Sequence, residues 1–404
     1  MAANNNLVTL DGNFKNVYAD KIENLHPENT KLMQRVPFVK GQGQIGKQYL
    51  QPVVLGLEHG ITYDSSGDAF TLDSAVAGQI KEAKVTSTEM VLRSRISVAA
   101  ASRSMTSEAA FEQSTKFLVR NMLRSMTKRV EVGMMYGGSG IGEVGALPGG
   151  TVIEVLTAEW APGVWVGAEQ MKIEFYDATL TTLRGAASVT AVNMTTRRLT
   201  LDAIPGGVIV TDKIFYKTAK GNEAIGVHKI ISNTGLLFDI NGANYSLWQG
   251  NSYSASSAPL SFAKLQDSIS RAVEKGLDSA VLVLVNPRTW SDLLTEQAAL
   301  RQYDSSYSVQ LAEAGHQEIV FYGQNGKIEI VSSIYCKEGF AYVLCLEEMQ
   351  RIGSSDITFN RPGAEGKFFR ELENENGYEL RAYSDQALFC FAPGKNCLIT
   401  SIVN

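Results

Sequence analysis

Glycines spaced to wrap a phosphate are the first residues in this chain that could do chemistry. Gly140, Gly142 and Gly145, within YGGSGIGEVGALPGG, have the GxGxxG spacing of a dinucleotide-binding turn. Gly41, Gly43 and Gly46 repeat it in GQGQIGKQ, where Gly41, Gly46 and Lys47 also approach a P-loop. Context argues against both. The first run follows a helical segment, where a phosphate turn should follow a strand and open a helix, and Pro148-Gly149 opposes a helix starting there. In the second, Gln48 stands where magnesium needs Ser or Thr. With 36 glycines in the chain, plain turns account for both.

The other reactive types are no better placed. Cys336, Cys345, Cys390 and Cys397 form no CxxC pair, and His26, His59, His228 and His316 give no zinc spacing. The cysteines are expected to be buried thiols in a reducing compartment. No GxSxG, HExxH, HRD or DFG string occurs. Glu371, Glu373 and Glu375 in ELENENG read as a solvated edge and turn, and His228 in GVHKII as an ordinary strand residue. No acid–base carboxylate pair emerges. The sequence therefore predicts no enzyme and no cofactor. A net charge of −5 excludes a basic nucleic-acid-binding domain, although the first 130 residues are net positive and the rest net negative. MAANNNLVTLDG has no secretory character, and no apolar run is long enough for a membrane span.

With so little chemistry to position, the elements themselves carry the information. Residues 1–57 are polar and glycine-punctuated and read as an extended arm. Residues 58–104 read as a long β-hairpin loop. KQYLQPVVLGLEHGITY leads in, DSSGDAFTLDSAVAGQIKEAK is the tip, and VTSTEMVLRSRISVAAASRS returns with Met90, Leu92, Ile96 and Val98 near period two. The hairpin has too few apolar residues for a core of its own, so it should pack on a neighbour.

The strongest helix spans 107–132, SEAAFEQSTKFLVRNMLRSMTKRVEV, capped by Thr106 or Ser107. Leu118, Met122, Met126 and Val130 repeat every four residues, with Phe111 extending that side. Lys116, Arg120, Arg124 and Lys128 repeat likewise two places away, about 200° around the helix, so a basic stripe should face away from the packed side. Gly137 and Gly138 should turn the chain at the helix end.

Residues 150–250 are β-branched and turn-rich, with candidate strands TVIEVLTA, VTAVNMTTRRLTL and GGVIVTDKIFYK and turns at Pro162-Gly163, Pro205-Gly206 and Asn241-Gly242. After these come a helix, SFAKLQDSISRAVEKG, a buried strand, SAVLVLVNP, and a second helix, RTWSDLLTEQAALRQ. Asn325-Gly326 is a hairpin turn between QEIVFYG and GKIEIVSSIYC. The fold class is α+β.

That order of elements, with the helix-and-turn SEAAFEQSTKFLVRNMLRSMTKRVEVGMMYGG, APLSFAKLQDSISRAVEKG before SAVLVLVNPRTWSDL, and the closing AYSDQALFCFAPGKNCLITSI, resembles the major capsid proteins of tailed bacteriophages with the HK97-type fold. The resemblance implies an N-terminal arm (1–57), an extended loop (58–104), and a peripheral domain (105–255) with the spine helix at 107–132 and a β-rich elaboration. An axial domain (256–354) and a return to the peripheral domain (355–404) follow. The 150–250 block is either an elaborated peripheral sheet or an inserted β-domain. It further implies hexamers and pentamers in an icosahedral shell assembled in a bacterial cytoplasm. A portal protein at one vertex, packaged double-stranded DNA held without sequence specificity and a decoration (cement) protein belong to the same picture. The spine helix would turn its basic stripe toward the DNA, with subunit contacts or plain solvation as the other reading of that stripe. The arm and hairpin use all the residues before the helix, so the scaffold is expected to be a separate protein unless a precursor region has been removed. An encapsulin-like compartment shell and a β-rich binding or adhesion module are the alternatives.

Overall fold

The computed structural model describes residues 30–39, 48–103, 114–301, 318–359, 369–373 and 375–404. Two compact units divide the chain. Among the described residues, the smaller is built from 92–125 and 359–382, and the larger from 27–91, 126–358 and 383–404.

In the larger unit a one-turn helix, α1 (Leu32–Arg35), precedes a two-stranded antiparallel ribbon of β1 (Tyr49–Gly56) and β2 (Gln79–Val85), with Tyr49 opposite Val85 and Val54 opposite Ile80. This corrects the expected hairpin. Its second strand comes from QIKEAKV, assigned above to the tip. The segment expected to return forms β3 (Thr88–Ser97), which pairs with a different strand. The alternation in QIKEAKV is masked because only Ala83 and Val85 are buried. β3 does alternate, with Met90, Leu92, Ser94 and Ile96 half-buried and the residues between them exposed; Val98 already belongs to a short helix, α2 (Val98–Arg103).

The long helix α3 is described over Ser114–Tyr136. Its expected start, including Phe111, lies outside the described residues. It runs past the expected end at Val132 and through Gly133. Glycine inside a helix costs about 1 kcal/mol, but Val132, Met134, Met135 and Tyr136 are all buried and outweigh that.

The β-rich block forms a closed barrel. Its strands are β4 (Gly142–Gly149), β5 (Val152–Val155), β6 (Lys172–Tyr176), β7 (Leu183–Asn193), β8 (Arg198–Leu201) and β9 (Lys213–Tyr216), in the order β4-β5-β8-β7-β6-β9. Closure leaves no free strand edge. VTAVNMTTRRLTL is two strands and not one: Asn193 Oδ1 accepts the N–H groups of Thr195 and Thr196, and Arg197 takes φ 56°. Pro162-Gly163, expected as a turn, opens the short helix α4 (Pro162–Trp165), where proline's missing N–H is no loss at the first position. GVHKII is likewise helical, as α5 (Val227–Ile231), with Val227, Ile230 and Ile231 buried at helical spacing. Two short strands, β10 (Leu236–Leu237) and β11 (Ile240–Asn241), follow it.

A six-stranded mixed sheet forms the rest of the body. It comprises β12 (Asn251–Ala258), β13 (Val281–Val285), β14 (Glu318–Gly323), β15 (Gly326–Ser332), β16 (Ala341–Leu344) and β20 (Cys397–Ile402), in the order β12-β20-β16-β13-β15-β14. β13 is wholly buried, as a central strand covered on both faces must be. Leu282 and Leu284 enter one core cluster with the barrel and the end of α3. Val281, Val283 and Val285 enter the other, with α6 (Phe262–Val273) and α7 (Pro287–Arg301). Ser261 caps α6 by accepting the Lys264 N–H at 3.3 Å, Gly276 ends the run at φ 90°, and Asn325-Gly326 makes the expected hairpin with Gly326 at φ 104°. The sheet reaches outside 256–354, because β20 from the end of the chain pairs in parallel with β12.

β17 (Met349–Thr358) pairs antiparallel with the later half of β19 (Gly377–Cys390). In the smaller unit, β18 (Phe369–Glu371) pairs with the earlier half of β19, and Arg93 and Arg95 of β3 pair with Glu379 and Glu375 at 2.7 and 2.6 Å.

Candidate functional site

The β1–β2 ribbon has two unlike faces because successive side chains of a strand alternate. Tyr49, Val53 and Leu55 pack on the core, with the Tyr49 ring edge-on to Phe389 at 6.0 Å. Lys84 ties the base to the body through its N–H to the Phe238 carbonyl (2.8 Å) and its ammonium to Asp239 (2.6 Å). The opposite face shows Leu50, Val54 and Ile80 to solvent, and the connecting segment adds Leu57 (74% exposed), Tyr63 (89%) and Leu72 (75%). Scattered exposed apolar residues are normal, but a contiguous run of them marks a surface that meets another molecule.

The basic residues of α3 do not share one environment. Lys116 and Arg120 are exposed, whereas Arg124 and Lys128 are half-buried. Lys128 Nζ donates to the Val166 carbonyl at 3.1 Å, and burial, with Arg129 adding to it and Glu169 opposing, pushes its pKa down to about 8. The expectation that all four face outward is therefore corrected at Lys128. A four-residue step turns about 400°, so each repeat drifts roughly 40° and three repeats about 120°. On the other side, Leu118 is half-buried, and Met122, Met126 and Val130 are buried.

The two glycines after α3 serve different purposes. Gly138 has φ 77°, with only the Lys229 side chain near its missing Cβ, and its N–H donates to Glu223 Oε1 at 2.9 Å. Gly137 is not left-handed; a Cβ there would lie 1.9 Å from the Ala224 carbonyl oxygen.

Sequence reasoning missed a buried charge network where α3, the barrel and the Ile334–Phe340 loop meet. Lys337 is 1% exposed. Its ammonium donates to Glu159 Oε2 and to the Gly140 carbonyl (3.0 Å), and lies 4.3 Å from the Tyr136 ring centre. Glu159 also meets Lys213 at 3.5 Å, and Lys213 donates to Glu143. Burial pushes the Glu159 carboxyl up, but Lys337 and Lys213 overcome it and hold it at about 2. Burial pushes Lys337 down, with Glu159 opposing. Tyr136 Oη donates to the Tyr335 carbonyl (2.6 Å) and accepts the Lys337 N–H (2.9 Å). His228 Nδ1 lies 2.9 Å from Tyr342 Oη, and burial beside Lys337 brings its pKa down to about 3. Each charge in the network has its partner, so the arrangement fastens three elements together. No sequence signal points to it, because the partners are 178 residues apart and SIYCKEGF looks like any loop.

Among the described residues, no group of three or more His, Cys, Asp or Glu is placed to hold a metal ion, and no helix is long and apolar enough to cross a membrane. All four cysteines are free and buried.

No protein-family model and no curated protein matches the sequence. Solved structures do match, over nearly the whole chain. The capsid asymmetric unit of cyanophage A-1(L) superposes with a TM-score of 0.63 at 11% identity, covering 99% of this chain and 100% of that one. The capsid of a native GTA particle gives 0.53 at 9% identity (99% and 100%), and the capsid of the myovirus phage XM1 gives 0.53 at 8% (97% and 98%). The chain has the α+β fold of these capsid proteins. At such identities the likeness is one of fold.

Proposed function

We propose that this chain is the major structural subunit of the icosahedral head shell of a tailed phage, assembled in the host cytoplasm as hexamers and pentamers around double-stranded DNA. The exposed apolar face of the β1–β2 ribbon and its 57–78 connection carries the reading. On a fold otherwise shared with capsid proteins, that face has no apolar cover among the described residues. A second subunit supplies the cover. Permanent interfaces of this kind commonly exceed about 2,000 Å² and are strongly apolar. A separate scaffolding protein, a portal at one vertex and a decoration protein complete the assembly, and the subunit itself carries out no catalysis and uses no cofactor. Lys116, Arg120 and Arg124 offer sequence-blind phosphate contacts, and Lys128 donates to the Val166 carbonyl of its own body.

Negative-stain microscopy of the full-length chain tests this. Closed shells of uniform size are expected. Removing residues 57–78 while keeping both strands should leave a soluble subunit that makes no shells. Normal shells from that deletion would overturn the role given to the ribbon. Shells that exclude DNA in an infected cell and enclose a protein cargo would make the chain a compartment subunit instead. A monomer that binds a glycan would make it a binding module.

A further inference from the structure

Two buried charged side chains from distant parts of the larger unit are used on the backbone of one short segment. The Glu131 carboxylate, at the buried end of α3, accepts the N–H groups of Lys31 and Leu32 on Oε1 (2.9 Å each) and of Met33 on Oε2 (2.7 Å). These are the first, otherwise unpaired donors of α1, where a carboxylate is well placed. At the other end Arg351 Nε donates to the Val36 carbonyl at 3.0 Å. The Arg351 N–H donates to the Pro37 carbonyl (2.9 Å), its carbonyl accepts from Val39 N–H (3.0 Å), and its guanidinium lies 5.6 Å from the Phe38 ring centre. The Arg351 guanidinium is itself oriented by Asp356 and Gln386, at 3.0 Å each.

Among the described residues, the segment's remaining contacts are fewer, with Met33 also packed on the core. α1 is a single turn, too short to be stable alone. Phe38 makes an isolated bridge with Arg351 and no strand. Leu32 and Val36 are its fully buried apolar side chains, and Arg35 adds an ion pair to Glu329 at 2.5 Å. A segment with few apolar contacts and charge-to-backbone fastenings at both ends has the character of a low-stability cooperative unit. We propose that residues 30–39 form a strap, clasped by Glu131 at one end and Arg351 at the other, that opens and closes as one piece on the root of α3. The inference concerns the single subunit and holds or fails whether or not the chain builds a shell.

Limited trypsin digestion of the full chain reads the strap directly, because Lys31 and Arg35 lie inside it and Lys217, exposed after β9, lies outside. In Glu131→Gln the amide turns a donor toward N–H groups that need an acceptor. In Arg351→Met the other end loses the side-chain donor to Val36 and the guanidinium beside Phe38, and keeps its backbone pair with Pro37 and Val39. Either change should raise cleavage after both Lys31 and Arg35 by about tenfold or more, the scale of a lost charge-assisted hydrogen bond, and leave cleavage after Lys217 unchanged. A response confined to the nearer site, or none, overturns the one-piece strap. Should a variant unfold, with Lys217 cleavage rising too, hydrogen exchange on the unaltered protein decides. The amides of residues 31–33 and 39 should exchange together and well before those of residues 130–136. Exchange in step with the helix would show that the strap does not open separately.

Discussion

Lys337→Met removes the buried ammonium and keeps a side chain of similar length. It leaves Glu159 in place with Lys213 at 3.5 Å as its remaining cation, and leaves the Gly140 carbonyl without its donor. Breaking a buried pair from one side typically costs about 3–5 kcal/mol, because the surviving charge is desolvated and uncompensated. The direction agrees: Lys337 and Lys213 together hold the Glu159 carboxyl below its ordinary range, so losing one of them removes stabilisation at neutral pH. We therefore expect about 3 kcal/mol from the single change. Urea unfolding of unassembled subunits, followed by tryptophan fluorescence, measures it; Trp160 and Trp165 stack at 5.9 Å among the core residues and report on this region. The sign of the pH dependence is fixed as well. Because the folded carboxyl lies below its unfolded value, its contribution is complete above about 4.5 and is lost as pH falls toward about 2. The unaltered protein should weaken across that window, and Lys337→Met should weaken less steeply. Adding Glu159→Leu removes both charges and leaves Lys213 with Glu143, so the double variant should be more stable than the sum of the singles by about 1–3 kcal/mol. Strict additivity, or a single variant as stable as the starting protein, would refute the account of a coupled buried pair.

Three further outcomes follow from the same geometry. Gly138→Val places a β-branched residue at φ 77° and should cost about 1–3 kcal/mol, with Gly138→Asn much milder, whereas Gly137→Ala should fail through its clash with the Ala224 carbonyl; thermal melts and shell yields separate the two mechanisms. Burial pushes the Cys390 and Cys397 thiols up to about 12 and Cys336 higher still, so native protein should resist iodoacetamide at pH 8 while the denatured, unreduced chain titrates four thiols; two or fewer would contradict four free cysteines. Arg120→Gln with Arg124→Gln should leave empty shells intact and lower the salt and heat resistance of filled heads, whereas Lys128→Gln should lower subunit stability without a DNA-specific effect; filled heads unchanged across a salt series would end the phosphate role of the arginines.

What the sequence made legible was whatever is encoded locally. VLVLV between two helices declared a buried strand, Asn325-Gly326 a hairpin and SFAKLQDSISRAVEKG a helix, and all three stand in the structure. The missed features depend on partners far along the chain. QIKEAKV has an ordinary polar look because the face that it shares with β1 is exposed among the described residues, and that exposure hides the alternation. GVHKII carries β-branched residues that favour a strand, and the packing of Val227, Ile230 and Ile231 into the core decides for a helix.

Lys128 shows how a periodic pattern can mislead even when the helix it predicts is present. Spacing of four put it in line with Lys116 and Arg120, yet the same spacing rotates it steadily toward the body as α3 enters the core. From Val130 onward the helix is buried on nearly every side: Glu131 holds the backbone of residues 31–33, and Tyr136 braces the loop that carries Lys337. Charged residues of this helix near Ser114 can serve partners outside the subunit. Those near Tyr136 have already been used to join the arm, the barrel and the central sheet. The position of a charge along α3, more than its membership of a stripe, therefore sets whether it is exposed or held by the body.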